Sequence, residues 1–227
     1  MLPAASSARF SQVGAIVFDF DGTLVDTHEA IWGAFDRVMR ARGHAPPDEA
    51  WVRLRIGRPL KELFVDAAGP FADATLERMV LEYREEFVPL GRRLARALPG
   101  TVEVVRHFAP RIPLAIATAR TAEGALDLLD SLGLRDGFAA VVGIEQIRDP
   151  KPHPETVLLA LARVGVPAER AVMVGDTPDD VVAGRRGGLG TVGVASGAHD
   201  RAALEAHSPD AVIDRLDELI RRITAAR

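Results

Sequence analysis

Apolar and polar positions along this chain follow two rhythms. Short apolar runs stand at Ala15-Ile16-Val17-Phe18, Ile112 to Ala117, Phe138 to Val142, Ala171 to Val174, Thr191 to Val194 and Ala211 to Ile213. Each is too short for a core helix and predicts a buried strand. Between them the spacing turns helical. Glu123 to Leu132 repeats through Leu126, Leu129 and Leu132, and Pro154 to Val164, Asp179 to Arg186 and Leu216 to Ile223 read the same way. Strands alternating with helices predict an α/β fold, a parallel sheet covered by helices on both faces.

The rhythm breaks after the first strand. Ile31, Phe35, Val38 and Met39 recur at helical spacing, as do Leu76, Met79, Val80, Tyr83 and Phe87. Pro46-Pro47 and Gly69-Pro70 punctuate the segment, and no strand-like run is visible in it. Residues 26–98 are therefore expected to form an all-helical insertion. The core is then discontinuous, 1–25 plus 99–227. Val25-Asp26-Thr27 and Leu98-Pro99-Gly100 are the expected hinges.

Composition narrows the function classes. A chain of 227 residues, 48% hydrophobic, supports a core domain with a smaller companion. A net charge of −4 without a basic block argues against a nucleic-acid partner. The absence of cysteine excludes disulfides, thiolate metal sites and cysteine nucleophiles. Met1 to Gln12 lacks the apolar stretch of a signal peptide, and no apolar run is long enough to span a membrane. A cytoplasmic protein without a membrane partner is the expectation.

The chemistry sits at strand ends. The first strand runs directly into Asp19-Phe20-Asp21-Gly22-Thr23. Asp, Gly and Thr are ordinary turn residues. Two carboxylates one residue apart are costlier, because like charges that close resist joint ionisation and ask for a cation or a shared proton. The other strand ends are also polar. Leu114 to Ala117 runs into Thr118, and Val172-Met173-Val174 into Gly175-Asp176-Thr177-Pro178-Asp179-Asp180. Lys151 stands between them, in Asp149-Pro150-Lys151-Pro152-His153-Pro154. Taken alone, Thr118 is a helix N-cap, Lys151 a solvated loop residue, and Asp176 and Asp180 a cap and a first-turn acid. In a parallel sheet, however, these ends share one edge, where ligands bind. Several carboxylates, a hydroxyl and an ammonium on that edge suit phosphoryl transfer with magnesium, a hard cation that prefers oxygen, and an aspartate nucleophile.

In this order the motifs resemble those of the haloacid dehalogenase-like hydrolases over nearly the whole chain. The phosphatase signature is present as Asp19-Phe20-Asp21-Gly22-Thr23-Leu24, Thr118, Lys151-Pro152, and Gly175-Asp176 with Asp180. Val25-Asp26-Thr27 and Lys151-Pro152-His153-Pro154 are most similar to phosphoglycolate phosphatase-like members. The resemblance implies a three-layer α/β/α core with a helical cap. It also implies that Asp19 attacks phosphorus, that Asp21 protonates the leaving oxygen and then activates water, and that Thr118 and Lys151 hold the phosphoryl group. Asp19, the backbone carbonyl of Asp21, and Asp176 would bind Mg2+, with Asp180 steadying that shell. Asp21 argues against a dehalogenase or phosphonate-cleaving member. A sugar-phosphate mutase, a pyrophosphatase and a non-catalytic binding protein remain alternatives.

One departure stands out. Asn or Ser is common after the threonine in this family, and here the residue is Ala119, which leaves only a backbone N–H for the phosphate. Arg120 follows, either as a charge in the site or as a surface helix residue. In the cap, Arg53 to Lys61 is basic and holds Gly57. Arg53 and Arg55 read as residues that solvate a helix face. Arg58 resembles a substrate-contacting cap arginine, able to grip a carboxylate or second phosphate. The expected partner is a small phosphorylated metabolite, with phosphoglycolate leading, and the chain is expected to be a monomer or homodimer.

Overall fold

The computed structural model describes residues 10–225. The reading of Met1 to Gln12 therefore falls largely outside the described residues. Strand β1 (Ala15–Phe18) leads into a two-residue strand, β2 (Val25–Asp26). Four helices follow: α1 (His28–Ala41), α2 (Glu49–Arg53), α3 (Leu60–Ala68) and α4 (Asp73–Leu94). Strand β3 (Arg96–Ala97) and α5 (Thr101–Phe108) return the chain to the sheet. Then come β4 (Leu114–Ala117), α6 (Ala122–Ser131), β5 (Ala140–Val142), α7 (Glu155–Val164), β6 (Ala171–Gly175) and α8 (Pro178–Arg186). The described chain ends with β7 (Gly190–Val194), α9 (Arg201–Glu205), β8 (Ala211–Ile213) and α10 (Leu219–Arg222).

The main sheet has the order β5-β4-β1-β6-β7-β8, and all its pairings are parallel. β1 lies between β4 and β6, where the order reverses, so the crevice beyond its carboxyl end is the favoured ligand position. The strands alternate as pleating requires. Ile16, Phe18, Leu114, Ile116, Val172 and Val174 face one side, against Val104, Val105 and Phe108 of α5 and Leu128 and Leu129 of α6. Ala15, Val17, Ala115, Ala117 and Met173 face the other, against Val157, Ala160 and Leu161 of α7 and Ala183 of α8. Removal of a side chain the size of Phe18 or Ile116 from water contributes about 1.5–3 kcal/mol.

The first apolar face continues into the inserted helices. Phe20 and Leu24 share a cluster with Phe35, Met39, Phe64 and Met79. The Phe35 and Phe64 rings stack at 4.7 Å. Ile31, Phe35, Val38 and Met39 are buried on α1, and Leu76, Met79, Tyr83 and Phe87 on α4, as the helical spacing predicts.

The segment between residues 27 and 98 is not wholly helical. β2 and β3 form an antiparallel ribbon, Val25 opposite Ala97 and Asp26 opposite Arg96. Leu98 N donates to Leu24 O at 2.9 Å and continues the pairing. A two-residue ladder is too short to leave a period-two signature, so hydrophobic patterning passes over it. The run from Phe138 also pairs only from Ala140, while the Phe138 ring packs edge-on against Phe18 at 6.4 Å. The C-terminal helix opens as a 3-10 turn, Leu216–Glu218, before α10.

Candidate active site

The ends of β1, β4 and β6 bring the polar residues to one edge, as parallel pairing demands. Asp19 follows β1 and its N–H donates to Val174 O at 2.9 Å, which holds it against β6. Thr118 follows β4 and is held the same way, by its N–H to Val142 O at 3.0 Å. Asp176 follows β6 and is fully buried. Thr177 caps α8, and the cap positions Asp180. The Asp180 carboxylate accepts from Thr177 N at 3.1 Å and Thr177 Oγ1 at 2.7 Å, and Thr177 Oγ1 accepts from Asp180 N at 3.2 Å. This reciprocal box satisfies two helix-terminal donors and fixes the carboxylate.

Lys151 closes the group. Its Nζ lies 2.6 Å from Asp19 Oδ1, 2.6 Å from Asp180 Oδ1 and 3.1 Å from Ala117 O. All three of its donors are spent. Burial works against the ammonium, but Asp180 and Asp19 outweigh it and raise the Lys151 pKa above the usual lysine range. Asp176 is held by Thr23 Oγ1 at 2.7 Å and by Ala198 N at 2.8 Å. Glycine permits this packing. Gly22 has φ +85°, and a Cβ there would enter the Asp176 carboxylate.

Carboxylate oxygens of Asp19, Asp176 and Asp180 lie within 4.8 Å of one another, all three residues buried. Three carboxylates face one ammonium. Burial pushes the Asp19 pKa well up despite Lys151, with Asp180 and Asp176 adding to the rise. Burial and Asp180 raise Asp176 to about 6. Excess negative charge in a buried, all-oxygen donor set is the environment a hard divalent cation takes.

Asp21 stands apart from that group. Its Oδ1 accepts from Thr27 Oγ1 at 2.6 Å, and its two oxygens accept from Arg120 Nη2 at 2.7 Å and Nε at 3.1 Å. Arg120 N donates to Thr118 Oγ1 at 3.1 Å, and its guanidinium lies 4.0 Å above the Phe87 ring of α4. Burial opposes the Arg120 charge, but Asp21 more than compensates and the Arg120 pKa rises. Of the two readings of Arg120, the structure selects the site charge. The surface reading fails because the side chain is only 11% exposed.

A cavity of about 670 Å³ lies between the inserted helices and Asp21, Ala119 and Arg120, while Asp19, Thr118, Lys151, Asp176 and Asp180 are not in its wall. Asp21, Ala119, Arg120, Ile31, Tyr83 and Phe87 contribute to its wall. The arginines of the inserted segment have partners of their own. Arg58 reaches the cavity, but its guanidinium pairs with Glu62 at 2.9 Å and Asp66 at 2.7 Å. Arg58 precedes α3 and pairs with two carboxylates of that helix. Arg55 also lines the cavity, with its guanidinium 3.9 Å over the Trp51 ring rather than solvating a helix face. Arg53 Nη2 donates to Gly197 O at 3.2 Å and bridges to the core. Ala198, Tyr83 and Phe87 carry no chemical signature of their own in the sequence, and Thr27 enters it only as part of Val25-Asp26-Thr27. Only the fold brings them to the site.

The haloacid dehalogenase-like hydrolase family model matches residues 16–194. The chain belongs to that family. A protein of Dickeya dadantii named Probable phosphatase IndB is 35% identical over 211 residues, covering 90% of this chain and 91% of that protein. Pyrophosphatase PpaX of Bacillus velezensis is 31% identical, covering 92% and 95%. Phosphoglycolate phosphatase of Yersinia pestis is 28% identical, covering 93% and 94%. Among solved structures, a haloacid dehalogenase-like hydrolase from Bacteroides fragilis superposes with a TM-score of 0.85 at 26% identity, over 92% of this chain and all of that one. The chain is accordingly an enzyme of the phosphatase kind, with the α/β fold of its family. No helix among the described residues is long and apolar enough to cross a membrane.

Proposed function

We propose that this enzyme hydrolyses a small phosphate monoester through an aspartyl-phosphate on Asp19, with residues 26–98 acting as a cap over the site. The observation that carries the reading is the separation of the two motif carboxylates. Asp19 sits at the sheet edge on Lys151, and Asp21, two residues on, faces the cavity.

In the first half-reaction Asp19 Oδ attacks phosphorus and the bond to the leaving oxygen breaks. Asp21 delivers a proton to that oxygen, which departs as an alcohol. In the second, Asp21 takes a proton from water, the water oxygen attacks phosphorus, and the bond to Asp19 breaks. Asp19 is then free again and inorganic phosphate leaves. Lys151, Thr118 and the backbone N–H of Ala119 hold the phosphoryl oxygens throughout. Lys151 leaves its contact with Asp19 for the phosphoryl group, while Asp180 keeps it in place.

The buried carboxylate set fits Mg2+. Asp19, Asp176 and the backbone carbonyl of Asp21 would hold it, with Asp180 steadying Asp19 through Lys151. When bound, it neutralises phosphoryl oxygens and the surplus carboxylate charge. Phosphoglycolate leads among substrates, supported by the motif resemblance and by relatives of that name. Phosphate release with magnesium over a panel of metabolite phosphates tests the reading, with Asp19→Asn as the blank. A fall of at least about 10³-fold in that variant is expected. Activity equal to the parent removes Asp19 as nucleophile.

A further inference from the structure

Arg120 and Asp21 line the same cavity. Nε and Nη2 of Arg120 engage the Asp21 carboxylate, and Thr27 Oγ1 adds a third donor to Oδ1. Both oxygens of the carboxylate that would serve the leaving group are therefore occupied, and the occupant faces the space the leaving group would fill.

We propose that Arg120 is a specificity residue whose guanidinium is shared between Asp21 and a second anion on the leaving group. A substrate carrying a carboxylate or a second phosphate draws Arg120 from Asp21 and frees that carboxylate for the leaving oxygen. The proposal rests on the phosphatase reading above and adds a substrate class to it.

Three observations support the exchange. The planar guanidinium fork offers either anion the same two donors that it offers Asp21. The Phe87 face, 4.0 Å away, remains a seat for the cation as it turns. A buried guanidinium is costly to leave unpaired, so it moves only toward another anion. Three other cations of the cavity are paired with carboxylates. Arg58 is held by Glu62 and Asp66, Lys61 lies 3.6 Å from Glu77, and Arg92 pairs with Asp127. Those carboxylates belong to the cap or to α6. Among the described residues, Arg120 is the cavity cation hydrogen-bonded to Asp21. An ester without a second anion meets Arg120 still on Asp21 and reacts slowly.

The test compares kcat/KM for matched phosphate esters with magnesium: phosphoglycolate against ethyl phosphate, and propane-1,3-diol bisphosphate against propyl phosphate. The quantity read is the ratio within each pair. In the parent at least one ratio should reach about 30-fold, the size of one charge-assisted hydrogen bond. The pair that shows it identifies carboxylate or phosphate as the second anion. In Arg120→Met the ratio should fall to within about threefold of unity, and Arg120→Lys, which keeps charge without the fork, should keep part of it. The Lys variant also serves if the Met variant does not fold.

An equal loss on both members of a pair, leaving the ratio intact, overturns the proposal. So does a ratio that collapses in Arg55→Gln and not in Arg120→Met, or parent ratios near unity. In each of these the parent still releases phosphate, so the phosphatase reading stands. If the parent releases phosphate from no ester, both fall.

Discussion

Replacing Lys151 with methionine removes the ammonium that holds the carboxylate group together. Its Nζ makes two contacts at 2.6 Å, to Asp19 and Asp180, and the side chain is only 4% exposed. Methionine fills much the same volume, so the change is chiefly one of charge. Breaking a buried ion pair by removing one partner costs about 3–5 kcal/mol, because the remaining charge is stranded. In a domain of this size that corresponds to about 6–20 °C in Tm. The cost should depend on pH with a definite sign. Burial and Asp180 raise Asp176 to about 6, and burial raises Asp19 well above its ordinary value. A carboxyl with a raised folded-state pKa contributes stability at low pH, and that contribution is lost as pH rises through the folded pKa. Without Lys151 both groups are pushed higher still. Thermal unfolding of metal-free parent and variant at pH 8 and pH 5.5 should therefore show a large gap at pH 8 and a smaller one at pH 5.5. Asp180→Asn in the Lys151→Met background should recover part of the pH 8 loss, since it removes one stranded charge. A gap of equal size at both pH values, or a loss below about 1 kcal/mol against the 3–5 expected for a buried pair, would refute the electrostatic account.

Magnesium at about 100 times its Kd should stabilise the parent by about 2.7 kcal/mol, seen as a rise in Tm. Asp176→Asn should abolish that rise, and lowering the pH from 8 to 5 should shrink it in the parent, because protons compete for Asp176 near 6; a rise surviving in the variant would place the ion elsewhere. Phe64→Ala removes a fully buried ring stacked on Phe35 and should cost about 3–5 kcal/mol in denaturant unfolding, with KM rising more than kcat falls.

Much of this architecture is written in short-range pattern. Strands buried on both faces produce uninterrupted apolar runs, and Ala15 to Phe18 and Leu114 to Ala117 announce themselves for that reason. The polar residues at their ends read as a site once topology aligns them, because a parallel sheet places every carboxyl end on one edge. Interactions that depend on tertiary geometry are less legible. Arg120 could be weighed two ways from sequence because its partner Asp21 lies 99 positions away. Arg58 was the opposite case. Its partners Glu62 and Asp66 stand four and eight residues on, in the helix that follows, so this ion pair is local in sequence. The ribbon at residues 25–26 and 96–97 escaped because two paired residues per strand generate no period.

That ribbon has a consequence for how such a chain can change over evolutionary time. Strands hydrogen-bonded in a ladder lie about 4.8 Å apart, so the sheet domain meets the inserted segment as two adjacent backbone ends. The length that hangs beyond those ends does not alter the geometry the sheet must satisfy, and lengthening it adds loop-closure entropy only logarithmically. The β2 strand of the ribbon begins four residues after Asp21, so whatever is grafted there starts beside that carboxylate. One short ladder thus works as a standard coupling. The catalytic edge can stay fixed while the insertion is lengthened, shortened or exchanged, provided its apolar underside still covers Phe20 and Leu24.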